Sequence, residues 1–320
     1  MARYDKWTFA WNQKGEKMRT WVKVLLIIVA VLIIGGLTIF FMGTVKKGKD
    51  ISSSPPPTSY AQSSSDQKDF EAKKSSSYYT VYFHAGDETN ADKTLAVLNG
   101  AVTDLYQKYL GITPQNTSVY LTSTVDEYVK VAEFPGGAAK VKVGDGSAPN
   151  GKIFLYKPFD DPEKGKGVIV HEGTHAALWG FLGGGQNMEN LSGFLNEGLA
   201  YHMEFVNNAG ANYNPIKEIY YSNLLKQAVK TGNPPLMSLD ELGQNCEGYI
   251  SDGTKDGLCR GQGTFTVWYM YKNYGNDFWS KFLVDLKLTK DWAKSLESIS
   301  GKNLSDLGTE LDSSLKSLVK

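Results

Sequence analysis

Residues 24–43 read VLLIIVAVLIIGGLTIFFMG, twenty positions with no charge and a single hydroxyl, Thr38. As a helix rising 1.5 Å per residue, such a run is about 30 Å long, the thickness of a bilayer's hydrocarbon core. A helix apolar on every side lacks the amphipathic face of a globular surface helix, so a membrane span is the expected structure. A cleaved signal peptide has a shorter apolar stretch, about 7–15 residues, followed closely by small residues at the cleavage site. Here the run is longer and leads into Lys46 and Lys47, which favours an uncleaved anchor.

Charge follows the same division. The 320 residues carry 34 basic and 34 acidic side chains, a formal balance of zero. Residues 1–50 hold nine basic against three acidic side chains, or +6, and the other 270 hold 25 basic and 31 acidic, or −6. Six of the basic residues precede the apolar run and three follow it. This bias predicts a single-pass protein with residues 1–23 as a basic cytoplasmic segment, lipid contact through 24–43, and everything beyond extracytoplasmic. An acidic remainder offers no basic footprint for a polyphosphate, so no nucleic-acid partner is expected. Two cysteines exclude a disulfide scaffold. Cys246 and Cys259 enclose a polar loop rich in glycine and aspartate. In an oxidising setting they are free to pair, with a contribution of about 3 kcal/mol for a loop of that size. In the reversed topology they stay thiols.

Residues 44–78 read as a flexible tether: 51–78 contain ten serines, three consecutive prolines and almost no large aliphatic side chains. Such a stretch buries too little apolar surface to order itself. The rest, 79–320, is long enough for a sizeable core. Its first half mixes strands and helices: a strand in SYYTVYFHAG, a helix over 91–110 ended by Gly111, a strand at 117–122, a helix from 125 to 133, and a strand at 152–157. The second half reads as helical, with helices over 215–230 and 264–274 each stopped by a glycine. The expected class is α+β, a mixed-sheet amino-terminal lobe followed by a helical carboxy-terminal lobe with a cleft between them.

The chemistry concentrates in GKGVIVHEGTHAALWGFLGGG, where a helix is expected over 167–179. His171 and His175 stand four apart, so both imidazoles reach one metal ion from one helix face. Glu172 follows the first ligand and can take a proton from water at the metal. The stripe that carries the histidines also holds Val168, Leu178 and Trp179, an otherwise buried face on which unpartnered imidazoles are costly. A catalytic zinc takes three protein ligands and a water. The helix expected in LSGFLNEGLAYHMEF brings Glu197 back across a glycine turn as the third. The inferred set is one Zn2+ held by His171, His175 and Glu197, with Glu172 as general base.

HEGTH followed by NEGLAY resembles the paired motifs of the gluzincin metallopeptidases, in particular the peptidase-MA-like group, and GTFTVWYMYKNYG is similar to that group's later helix ending in Tyr-Gly. The resemblance implies a zincin-like domain over 79–320 that hydrolyses a peptide or protein substrate. The sequence also departs from that pattern. The residue five after the glutamate, aromatic in the family, is His202, with Tyr201 one place earlier. Where relatives carry a tyrosine that stabilises the transition state, this chain reads CRGQG, with Arg260 near that place, so the oxyanion donor has no assignment. Relatives that bind a free amino terminus use a Gly-x-Met-Glu-Asn strand upstream of the motif. Met188-Glu189-Asn190 lies downstream instead, which favours an endopeptidase. His84 and His202 fall in no metal spacing and read as structural, and Trp268, Tyr269, Tyr271 and Tyr274 read as helix packing. The alternatives are a surface binding or scaffold domain that keeps zinc without turnover, and a hydrolase of non-peptide amides.

Overall fold

The computed structural model describes residues 69–134, 137–161, 164–218, 221–246 and 252–320. The expected cytoplasmic segment, the span at 24–43 and the tether as far as residue 68 lie outside them. Among the described residues no helix is long and apolar enough to cross a membrane.

Strands β1 (Ala72–Ser75), β2 (Tyr79–Phe83), β3 (Thr117–Thr122), β4 (Gly146–Ser147) and β5 (Ile153–Tyr156) form one mixed sheet in the order β1-β2-β3-β5-β4. The three central strands are parallel, and each edge strand is antiparallel to its neighbour. Register aligns Val81 with Val119 and Val119 with Ile153, and these residues join the main helical core. The alternate residues Tyr82, Tyr120 and Phe154 stack as a ladder on the other face, with ring centroids 5.1 and 4.9 Å apart. There they meet Phe70 and Tyr128, the latter from α2 (Val125–Val131). Because both faces are covered, β3 and β5 are buried throughout and lack the polar alternation of a half-exposed strand.

The edge strands were not foreseen. The sequence of β1 is AKKS, inside the stretch read as tether, and its strand state comes from backbone pairing with β2 and from Phe70, buried just before it. Between β2 and β3 runs α1 (Glu88–Ala101), which continues as a wider π-helical segment over Val102–Leu110 and ends at Gly111 with φ +66°. The motif helix α3 (Gly165–Leu182) outlasts the expected 167–179 at both ends, stopping at Gly183 in the left-handed region.

Beyond α3 the described chain is helical: α4 (Gly193–Ala209), α5 (Pro215–Glu218), α6 (Ser222–Thr231), α7 (Leu239–Asn245), α8 (Gly253–Tyr274), α9 (Phe278–Thr289), α10 (Trp292–Ser300) and α11 (Leu304–Val319). The single helix expected over 215–230 is therefore two, with Tyr221 non-helical at φ −96° and ψ 15° before α6. The larger difference is α8, which begins eleven residues before the expected 264. Asp252 caps it, accepting from the backbone N–H of Thr254 and Lys255 at 2.9 and 3.3 Å. Its early glycines lower helix propensity, yet contact geometry requires at least one of them. A Cβ on Gly263 would stand 2.2 Å from the Phe194 carbonyl oxygen, and one on Gly198 would stand 2.6 Å from that of Gly263. Helices α4 and α8 thus touch backbone to backbone. Cys246, at the end of α7, and Cys259 in α8 form a disulfide with Cα atoms 5.6 Å apart.

Candidate metal centre

Helix α3 packs against α1, β5 and α4, so it is buried on nearly every side and not along one stripe; Val168 and Trp179 keep partial exposure. Its rotation is set within the motif itself. Gly173 lets α1 lie close, since a Cβ there would be 2.5 Å from the Tyr106 hydroxyl and 2.8 Å from a Leu98 methyl. The Tyr106 hydroxyl donates to the Val170 carbonyl at 3.0 Å, an oxygen that also accepts from Thr174 Oγ1 at 2.8 Å. This leaves His171 and His175 facing α4.

The three expected ligands meet. One ligand atom from each of His171, His175 and Glu197 lies within 4.8 Å of the other two. The two histidine Nε2 atoms are 3.2 Å apart, with Glu197 Oε2 at 3.6 Å from His171 and Oε1 at 3.6 Å from His175. A tetrahedral ion with bonds of about 2.0–2.1 Å sets its ligand atoms about 3.3 Å apart, so the triangle is the right size for a small divalent metal. Tautomers agree with this. Asn196 Oδ1, 3.0 Å from His175 Nδ1, can only accept from it, and the buried Glu204 carboxylate lies 3.3 Å from His171 Nδ1. His175 Nδ1 is hydrogen-bonded, while His171 Nδ1 has Glu204 within ion-pair reach but no hydrogen-bond partner among the described residues. With a proton on each Nδ1, the two Nε2 atoms converge with a carboxylate, a donor set that can hold a cation.

Electrostatics follow from burial and crowding. Burial lowers the His171 pKa, but Glu197 and Glu204 outweigh it and raise the group to about 10. For His175 burial prevails and the value falls to about 4. Glu172 is pushed up to about 7 by burial, with His171 opposing. Burial works against the Glu197 charge too, yet Arg260 and the two histidines hold that carboxyl well below the usual carboxylate range.

A cleft of about 910 Å³ opens over this cluster, lined in part by Glu172, Trp179, Met188, Glu197 and Arg260, with Gly146 and Ser147 of β4 in its wall. Glu172 thus shares the cleft with the three candidate ligands. Of Met188-Glu189-Asn190, the first two residues line the cleft from a short 3-10 turn over Gly185–Asn190. The two positions left open by the family pattern separate clearly. His202 is in the core with Nδ1 2.8 Å from the Tyr213 hydroxyl, whereas the Tyr201 ring sits edge-on to His171 with centroids 4.4 Å apart. Burial lowers His202 to about 3, keeping it neutral. His84 lies elsewhere, its Nε2 2.6 Å from Glu127. Tyr271 and Trp268 pack against Tyr109 and Phe265, as expected for helix packing.

Sequence reasoning missed Glu204 and Asn196. Glu204 follows Glu197 by two helical turns, so the helical period alone would have put both on one face. Asn196 is adjacent to Glu197 and carried no such signal. No protein-family model matches the chain, and no curated protein sequence matches it either.

Proposed function

We propose that this chain is a zinc metallopeptidase of gluzincin type, a membrane-anchored endopeptidase with a zincin-like catalytic domain outside the membrane. The observation that carries the reading is the return of Glu197 to His171 and His175, three donors from two helices at metal-ligand spacing beside an open cleft. Two imidazoles and one carboxylate are a donor set that suits zinc. The anchor rests on the charge-free run at 24–43 and the basic residues flanking it. The cleft's size suits an extended peptide as substrate.

In this reading His171, His175 and Glu197 would hold the ion, which would supply Lewis acidity and lower the pKa of a water when bound. Glu172 would accept a proton from the attacking water on a carboxylate oxygen and deliver it to the nitrogen of the leaving amine. Glu204 and Asn196 hold protons on the two Nδ1 atoms and so keep both rings turned toward the ion. No nucleophilic side chain takes part.

The test compares the full chain in detergent with its Glu172→Gln variant on an unfolded protein substrate. Hydrolysis by the parent is expected to stop with a chelator and return with zinc. The variant is expected to keep its zinc and lose at least about 100-fold in rate, the lower range for a proton-transfer group. A zinc-loaded variant as fast as the parent would sink the assignment.

A further inference from the structure

We propose that Arg260 is the oxyanion donor of this site, a catalytic residue whose Nη2 group hydrogen-bonds the carbonyl oxygen of the scissile amide. The inference rests on the peptidase reading above. Arg260 lines the cleft and is the only arginine or lysine among the described residues that do so. Its guanidinium is fixed at two corners. Nε donates to both oxygens of Asp256, one turn earlier on α8, at 3.0 and 2.9 Å. Nη1 donates to Glu197 Oε2 and, at 3.3 Å, to the Tyr201 hydroxyl. The two N–H groups of Nη2 have no hydrogen-bond partner among the described residues, and the side chain is 21% exposed. A planar fork held at Nε and Nη1 cannot turn freely, so Nη2 is preorganised beside the carboxylate that completes the metal triangle.

Other candidates are less well placed. His202 is buried against Tyr213, and neither it nor Tyr201 lines the cleft. Asn196 does line it and keeps its amide N–H groups while Oδ1 accepts from His175, but it is a neutral donor. The clamp on Nε and Nη1 leaves a cationic donor pair, whose hydrogen bonds to a developing anion are the stronger ones.

The electron movement is simple. As the water oxygen bonds to the carbonyl carbon, the π pair moves onto the carbonyl oxygen, where Nη2 donates to it. When the C–N bond breaks, that pair re-forms the carbonyl and the nitrogen takes the proton held by Glu172. Arg260 neither gains nor loses a proton; its work is done by hydrogen bonds stronger to the anion than to the amide oxygen.

The experiment uses the full zinc-loaded chain in detergent and its Arg260→Met and Arg260→Lys variants. Three quantities are read: kcat on a peptide, zinc Kd by chelator competition, and affinity for two matched peptides. One peptide carries a phosphinate in place of the scissile amide, and the other is a slowly cleaved amide. For Arg260→Met, kcat is expected to fall about 100- to 1,000-fold, the usual cost of removing one oxyanion donor. Phosphinate affinity falls by a similar factor, while affinity for the amide peptide changes less than about 3-fold. Where Arg260→Met does not fold, Arg260→Lys decides, since it keeps the charge but not the fork and is expected to lose kcat and phosphinate affinity together. Loss of zinc affinity in proportion to the loss of rate, with the ratio of phosphinate to amide affinity unchanged, overturns the proposal and leaves Arg260 as a support for Glu197. A parent chain that binds zinc and cleaves nothing refutes the peptidase reading itself. An active parent with an equally active Arg260→Met variant refutes this inference alone.

Discussion

The contact between α4 and α8 can be tested by adding a single methyl group. An alanine at position 263 would place its Cβ 2.2 Å from the Phe194 carbonyl oxygen, 3.1 Å from the carbonyl carbon and 3.6 Å from Gly198 Cα. Ordinary non-bonded separations are about 3.5 Å, so the helices have to part by about 1 Å. Neither side can relieve the clash by rotating a side chain, because the atoms met are backbone. Overpacking of this kind costs about 1–3 kcal/mol, and alanine returns nearly 1 kcal/mol of helix propensity, leaving a net loss of about 2 kcal/mol at the upper end. For a domain of this length each kcal/mol moves Tm by about 2–4 °C, so Gly263→Ala is expected to melt about 4–8 °C below the parent. The matched control is Gly100→Ala in α1, where an added Cβ meets nothing within 4 Å. There the propensity gain stands alone and Tm should rise by about 2–4 °C. Thermal unfolding followed by circular dichroism reads both. Zinc affinity should also weaken in Gly263→Ala, since Gly198 follows Glu197 directly and Gly263 lies one turn after Arg260. Melting of Gly263→Ala at or above the parent temperature would refute the close crossing and the explanation of the glycines built on it.

Two further outcomes follow from the polar contacts of the histidines. Glu204→Gln and Asn196→Ala each remove a partner from a ligand's Nδ1, and each is expected to weaken zinc binding about 10- to 100-fold in a chelator competition while the chain stays folded. Unchanged zinc affinity in both would discard the orienting role. Away from the cleft, His84 has Nε2 2.6 Å from Glu127 and Nδ1 3.4 Å from Glu71. Burial disfavours its charge, but these carboxylates outweigh that and raise its pKa. A raised histidine stabilises the fold fully below its unfolded pKa of about 6.5, and the contribution disappears as pH rises through the higher folded value. Tm should therefore drop across that interval by more in the parent than in His84→Gln. Parallel Tm-against-pH curves for the two proteins would contradict it.

The donors His171, His175 and Glu197 were readable from residue order because a helix turns a spacing of four into a shared face, and the turn between α3 and α4 is short. The same local periodicity located α1, α3 and the central strands β2, β3 and β5, of which β3 and β5 are apolar because they are buried on both faces. For the apolar run at 24–43 the expectation of a span rests on length and lack of charge alone, and the run lies outside the described residues. Strand β1 was not readable, since AKKS becomes a strand only by pairing with an edge that another segment provides. The start of α8 was hidden by glycines that look like breaks in isolation. Their tolerance comes from a backbone crossing visible only when α4 is in place. Arg260 is the clearest case. Its distance from Glu197 is 63 residues along the chain, and its meaning as a clamped cation beside the metal triangle arises from the packing of α8 on α4. Local spacing decides which side chains a single helix can present together. Which cation, carboxylate or amide stands opposite them is decided by non-local packing, because those partners are brought near only when distant segments bury their surfaces against one another.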